Sequence, residues 1–169
     1  MFPISHFNIT RTPFYYYDKT LLSNTLAKLI RLAGERNYHI HYAVKANANP
    51  EILKLIAASG IGADCVSGGE IKAALEAGFP AKKIVFAGVG KADWEIEYAL
   101  EKKIFCFNVE SAEELSVIEE LAKKKENIAS IALRINPNID AHTHEYITTG
   151  LSENKFGIPI EMLDSIFSQ

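Results

Sequence analysis

Cysteine is scarce in this chain of 169 residues: only Cys65 and Cys106, each inside a short apolar run. No C-x-x-C or mixed Cys/His spacing accompanies them, so a dithiol redox centre and a thiolate metal site are both excluded, and two buried free thiols are expected. Long hydrophobic runs are missing too. No stretch approaches the ~18 consecutive apolar residues of a membrane span. The opening MFPISHFNITRTPFYYYD has neither the charged start nor the apolar centre of a secretory signal. Neither sign of charge is in excess, with 18 Lys and Arg against 21 Asp and Glu and a net charge of −3, which argues against a nucleic acid or an anionic membrane as partner. What is present is ordinary: 48% hydrophobic residues, enough for a real core in one domain of a cytoplasmic protein.

One unit repeats along the chain. An amphipathic segment over 19–36, with Leu22, Leu26, Leu29, Ile30 and Ala33 at helical spacing, comes first. Strands are then expected at 39–44, 62–66, 83–88, 104–109 and 130–137, about 22 residues apart on average. Helices fill the gaps. Pro50 suits a first helical turn, and Gly60 and Gly78 suit helix stops. Ser67 with Glu70, and Ser111 with Glu114, have the spacing of capping boxes. A further helix is expected from 159 to 167. The strands are nearly continuous apolar runs, as when both faces of a parallel sheet are covered.

Two architectures suit such βα units: an open doubly wound sheet and a (β/α)8 barrel. G-x-G-x-x-G is absent after the first strand, which removes the dinucleotide fingerprint. Polar residues instead gather where strands end: Lys45 and Asn47, Asp64 and Ser67, Asn108 and Glu110, Arg134 and Asn136. Either architecture places ligands at those ends. His142 and His144 form an H-x-H pair without further ligands at metal spacing and read as loop residues.

Lys45 ends the apolar run HYAVK just where the chain turns through ANANP into a helix. Desolvation at the end of a buried strand favours a neutral amine, which can condense with an aldehyde as a Schiff base. A lysine that merely snorkels out of a strand end is the plainer reading of position alone. The surrounding motifs decide between them. YAVKAN (42–47) resembles the pyridoxal-phosphate attachment motif of the amino-acid decarboxylases of the alanine-racemase fold. GADCVSGGE (62–70), NVES (108–111), LRINP (133–137) and THEYITTGLSENKFGI (143–158) follow in that family's order. THEYITTG followed by NKFG is similar to the branch that acts on diaminopimelate, rather than those acting on ornithine, arginine or carboxynorspermidine.

The resemblance implies an α/β fold: the N-terminal part of a pyridoxal-phosphate-binding (β/α)8 barrel, in about five βα units over 19–169. It implies that 1–18 carries an edge strand, TPFYYYD, belonging to a β domain. By the same resemblance Lys45 holds the aldehyde of pyridoxal 5'-phosphate. Asp64 orients cofactor and lysine, Arg134 lies near the cofactor ring, and Ala43 and Asn47 line the pocket. Lys155 falls near the interface of a homodimer. Structurally, Asp64 could also cap a turn and Arg134 could pair an acidic group. The resemblance implies a small amino acid as substrate, here meso-diaminopimelate, decarboxylated to L-lysine and CO2 by the parent protein, the contrasting alternative being a non-catalytic decarboxylase-like binding protein. The family's ring-stacking histidine, its phosphate loop and its substrate-side residues have no match in these 169 residues, so the chain alone is expected to be inactive.

Overall fold

Five short parallel strands lie side by side in the order in which they occur in the chain. They are β1 (His41–Ala43), β2 (Gly62–Cys65), β3 (Ile84–Phe86), β4 (Cys106–Val109) and β5 (Ile131–Leu133). The computed structural model describes residues 3–137 and 156–167. The helices are α1 (Ile4–Phe7), α2 (Lys19–Gly34), α3 (Pro50–Ala58), α4 (Gly68–Ala77), α5 (Asp93–Lys102), α6 (Ala112–Lys124) and α7 (Leu163–Phe167). In a doubly wound sheet the strand order turns back at a switch point. Here it never does, and α3 packs on α4, α4 on α5 and α5 on α6 along one face. The chain is therefore an arc of a (β/α)8 barrel. No described helix is long and apolar enough to cross a membrane.

Parallel register puts lateral neighbours on the same face. Ala63 with Ile84, Cys65 with Phe86 and Phe107, and Val109 with Leu133 face the helices. There they meet Leu53, Ile56, Ile71, Ile96 and Ile118 in one continuous core. The other face carries His41 and Gly62, then Ala43, Asp64, Val85 and Cys106, then Asn108 and Ala132. This second face is the interior of the arc. Both cysteines are free and buried, as expected.

The helix starts follow from local chemistry. Asn49 accepts from the amides of Glu51 and Ile52 and is followed by Pro50 at the first position of α3. Ser67 Oγ accepts from Glu70 N at 3.2 Å, and Ser111 Oγ from Glu114 N at 3.1 Å. The return arms reach one residue further back than a standard capping box. Glu70 takes the amide of Val66, and Glu114 that of Glu110. Both acids thereby tie a helix start to the strand end that precedes it.

Three expectations are corrected. The strands are shorter than the apolar runs, because the run ends join the core without pairing: Val44 leaves the sheet for a turn, and Ile104 closes the end of α5 through Ala99 O. The run 130–137 divides at Arg134. Residues beyond it form β6 (Ile135–Asn136), which pairs not with β4 but with β7 (Ile158–Pro159). Pro159 therefore belongs to a strand, and the expected helix over 159–167 is a 3-10 turn (Ile160–Met162) followed by α7. TPFYYYD, the expected edge strand of a β domain, joins neither sheet of the described residues. It packs instead on the short α1, with Phe7 5.4 Å from Phe14 and 5.1 Å from Tyr16 between ring centroids. Lys155, His142 and His144 lie outside the described residues.

Gly62 tests the packing of the interior face. A Cβ there would collide with the His41 ring and the Lys83 carbonyl. Gly62→Ala is expected to lower stability by about 1–3 kcal/mol, the range for overpacking a tight site. Urea unfolding followed by circular dichroism measures it.

Candidate active site

Lys45 sits in a 3-10 turn, Val44–Ala46, directly after β1. Val44 is fully buried and anchors the turn in the core, while Asn47 N closes it on Val44 O at 3.1 Å. Lys45 is exposed. The desolvation expected at a buried strand end is absent among the described residues, because the chain leaves the sheet one residue before the lysine. The amine is accessible at the mouth of the interior face.

Asn47 holds the turn. Its Oδ1 accepts from Asn49 N at 2.9 Å, its carbonyl accepts from the Tyr42 hydroxyl at 3.2 Å, and its Nδ2 donates to the Tyr17 hydroxyl at 3.1 Å. The N-terminal segment is thus pinned beside the end of β1. Ala43 is on the interior face, laterally beside Asp64. Its methyl leaves room above the sheet where a larger side chain would fill it.

Asp64 is the interior face's central charge. Its Oδ1 is shut off from solvent and has no hydrogen-bond partner among the described residues. Burial pushes the carboxyl up from the ordinary value of 3.8, partly offset by the positive charges of Lys45 and His41. Burial likewise lowers His41, against the pull of Asp64. A raised carboxyl means that the fold favours the protonated form. Its contribution to stability is complete below 3.8 and is lost as pH rises through the raised value. Asp64→Asn is therefore expected to raise the melting temperature at neutral pH, with the difference closing in acid. Thermal melts between pH 3 and 8 would detect this; a variant no more stable at neutral pH contradicts it. Beside Asp64 on β2, burial pushes the Cys65 thiol up to about 12, which makes it inert.

Arg134 follows β5 and acts as a pivot. Its amide donates to Val109 O at 2.9 Å, and its carbonyl accepts from Ile158 N at 2.7 Å, joining the main sheet to the β6–β7 pair. Its Nη1 donates to both carboxylate oxygens of Glu110, at 2.9 and 3.0 Å. The ion pair that the sequence admitted is therefore formed. The Phe156 ring lies 5.7 Å from the guanidinium carbon. Gly157, at φ +99, allows the close approach, since a Cβ there would come within 2.8 Å of Arg134 O.

Sequence reading missed Lys91. Its side chain is 1% exposed, and its Nζ donates to Gly88 O at 2.6 Å, to Asn108 O at 2.9 Å and to a Glu114 carboxylate oxygen. It also lies 5.4 Å from the centre of the Phe86 ring. Because Glu114 also takes the Glu110 amide, one polar chain runs Lys91–Glu114–Glu110–Arg134 along the carboxyl ends of β3, β4 and β5. A cavity of about 400 Å³ lined by His39, His41, Lys83 and Phe105 lies at the opposite, amino-terminal ends of the strands, away from Lys45.

A sheet of this order, with an accessible lysine after β1 and charged groups after the later strands, defines a barrel domain that anchors a ligand at its carboxyl-terminal mouth. The chain matches, over residues 23–168, the family described as pyridoxal-dependent decarboxylase, pyridoxal binding domain, and it belongs to that family. Its relatives there are diaminopimelate decarboxylases. The one from Bacteroides thetaiotaomicron is 60% identical over 167 residues, covering 98% of this chain and 43% of that protein. The crystal structure of the Helicobacter pylori enzyme complexed with L-lysine is 46% identical with a TM-score of 0.83, over 98% of this chain and 42% of that one. The M. jannaschii enzyme in co-complex with L-lysine is 38% identical with a TM-score of 0.86, over 98% and 40%. The chain spans less than half the length of the relatives it matches and corresponds to their N-terminal portion.

Proposed function

We propose that this chain supplies the cofactor-anchoring part of a decarboxylase that converts meso-diaminopimelate to L-lysine and CO2. The observation carrying this reading is the placement of Lys45: an accessible amine in a core-anchored turn after β1, electrostatically coupled to Asp64 on the interior face. A relative at 60% identity named diaminopimelate decarboxylase, and solved relatives holding L-lysine, support the substrate.

The residues fit pyridoxal 5'-phosphate. Lys45 Nζ is the nucleophile for its aldehyde, and Asp64 Oδ1, buried without a partner among the described residues, is an acceptor awaiting a donor. Ala43 and Ala132, beside Asp64 and Asn108 on the interior face, carry only methyl groups and leave room for a flat ring. Bound there, the cofactor supplies the electron sink that lets a carboxylate leave as CO2. The chain's own groups bind and orient. The Asp64 carboxylate draws the Lys45 amine over the interior face, and Arg134 presents a fixed positive charge at the end of β5. Asn47 fixes the turn that carries Lys45, and Ala43 borders the pocket beside it.

Residues 1–18 as a segment completing a β domain, 19–169 as barrel, Lys155 at a dimer interface, and a cytoplasmic homodimer belong to the same proposal. So does the inactivity of these 169 residues alone. Borohydride reduction after adding pyridoxal phosphate, followed by peptide mapping, tests the anchor. Label at Lys45 is expected, and label concentrated on another lysine overturns it. Release of CO2 from diaminopimelate, ornithine and arginine by the complete enzyme tests the substrate, with turnover expected from the first alone.

A further inference from the structure

We propose that Glu110 is the positioning residue of Arg134, aiming the guanidinium at the cofactor side of the mouth. The inference rests on the reading of Arg134 as a cofactor-side residue. Among the described residues Glu110 is the one polar residue buried as a whole, with its side chain 4% exposed, whereas the Arg134 side chain is 50% exposed. A buried carboxylate with a half-exposed partner is not a surface ion pair between two mobile side chains. The carboxylate is the fixed member and the guanidinium is the one that would otherwise roam.

Glu110 is fixed from two directions. Its amide donates to Glu114 at 2.9 Å, and Glu114 is held by the buried Lys91. Both carboxylate oxygens then take the same nitrogen, Nη1. This geometry differs from the usual fork, in which two guanidinium nitrogens share the two oxygens. Among the described residues it leaves Nη2 and Nε uncommitted and available to a ligand. The Phe156 ring lies 5.7 Å from the guanidinium carbon, and Gly157 lets that strand approach the Arg134 backbone. The four charges form two ion pairs, Lys91 with Glu114 and Arg134 with Glu110, joined through the Glu110 amide, so the set is balanced when the mouth is covered by a ligand.

The test is a double-mutant cycle on the affinity of the full chain for pyridoxal phosphate, read from the absorbance of the bound cofactor. Glu110→Gln and Arg134→Gln are each expected to weaken binding about 10-fold, with the double variant no worse than either alone, as for two groups acting as one unit. Glu110→Asp, which keeps the charge, is expected to recover affinity to within about 3-fold. Melting of the cofactor-free variants controls for folding, and Glu110→Gln is expected to shift it by less than about 5 °C. Loss in Arg134→Gln but not in Glu110→Gln overturns the positioning role alone. No loss in Arg134→Gln, or no binding by the unsubstituted chain, overturns the cofactor reading beneath it. Equal losses that add in the double variant, or a Glu110→Gln loss matched by a large melting shift that aspartate does not repair, mark Glu110 as structural and overturn the inference.

Discussion

Lys45→Ala in the complete enzyme is expected to remove decarboxylation by roughly 10³-fold or more while leaving the fold in place, because in the proposed role it deletes the nucleophile itself rather than a group that tunes it. The separation of the two effects follows from the turn. Val44 carries the burial that anchors this segment, and Lys45 is exposed, so truncating it is expected to change stability by no more than about 0.5 kcal/mol. A second signature follows from Asp64. Without the Lys45 charge, which now offsets part of the burial effect, its carboxyl rises further and the loss of stability with pH moves to higher pH. Turnover and melting curves on the same samples check both parts. Activity retained above about a tenth of the original would rule out Lys45 as the anchor.

Lys91→Met is expected to have the largest effect on stability, a loss of about 3–5 kcal/mol, because it strands the Glu114 carboxylate, 12% exposed, without a cation. It also leaves the carbonyls of Gly88 and Asn108 without their donor. For a chain of this size the melting temperature is expected to fall on the order of 10 °C. Adding Glu114→Gln should recover part of the loss, since the stranded charge goes with it. A single variant that melts within 2–3 °C of the original would rule out the buried pair as a staple of β3, β4 and α6.

These two lysines mark the boundary of what the sequence discloses. Lys45 was legible because its surroundings are local: an apolar run, a turn of asparagines and a proline that opens a helix. Lys91, in VGKADW, has the surroundings of a solvated loop lysine, and its partners Asn108 and Glu114 are 17 and 23 residues away. The same contrast separates the strands. β1, β2 and β4 declared themselves because each is a short apolar run followed by a helix-capping residue, and β3 by its apolar run alone. The break at Arg134 did not, since Ile135 and Asn136 read as more of the same run, and only pairing with Ile158 and Pro159 shows where they belong. TPFYYYD has the composition of a strand, but composition does not supply the neighbour that would make it one. At the site, both Glu110 and Arg134 stood among the polar residues gathered at strand ends. That they meet depended on the register of β4 against β5, which no local pattern encodes.

Ionic strength divides the charges of this molecule into two populations. The helix-surface pairs Arg31–Glu35, Glu119–Lys123 and Glu120–Lys124 are well exposed, and salt at 1 M, with a screening length of about 3 Å, removes most of what they contribute. The Lys91–Glu114 pair lies where mobile ions do not enter. In concentrated salt the outer helices therefore lose their electrostatic stitching, while the carboxyl-terminal ends of β3 and β4 keep theirs. The buried pair behind the mouth would be the last part of the arc to register the change.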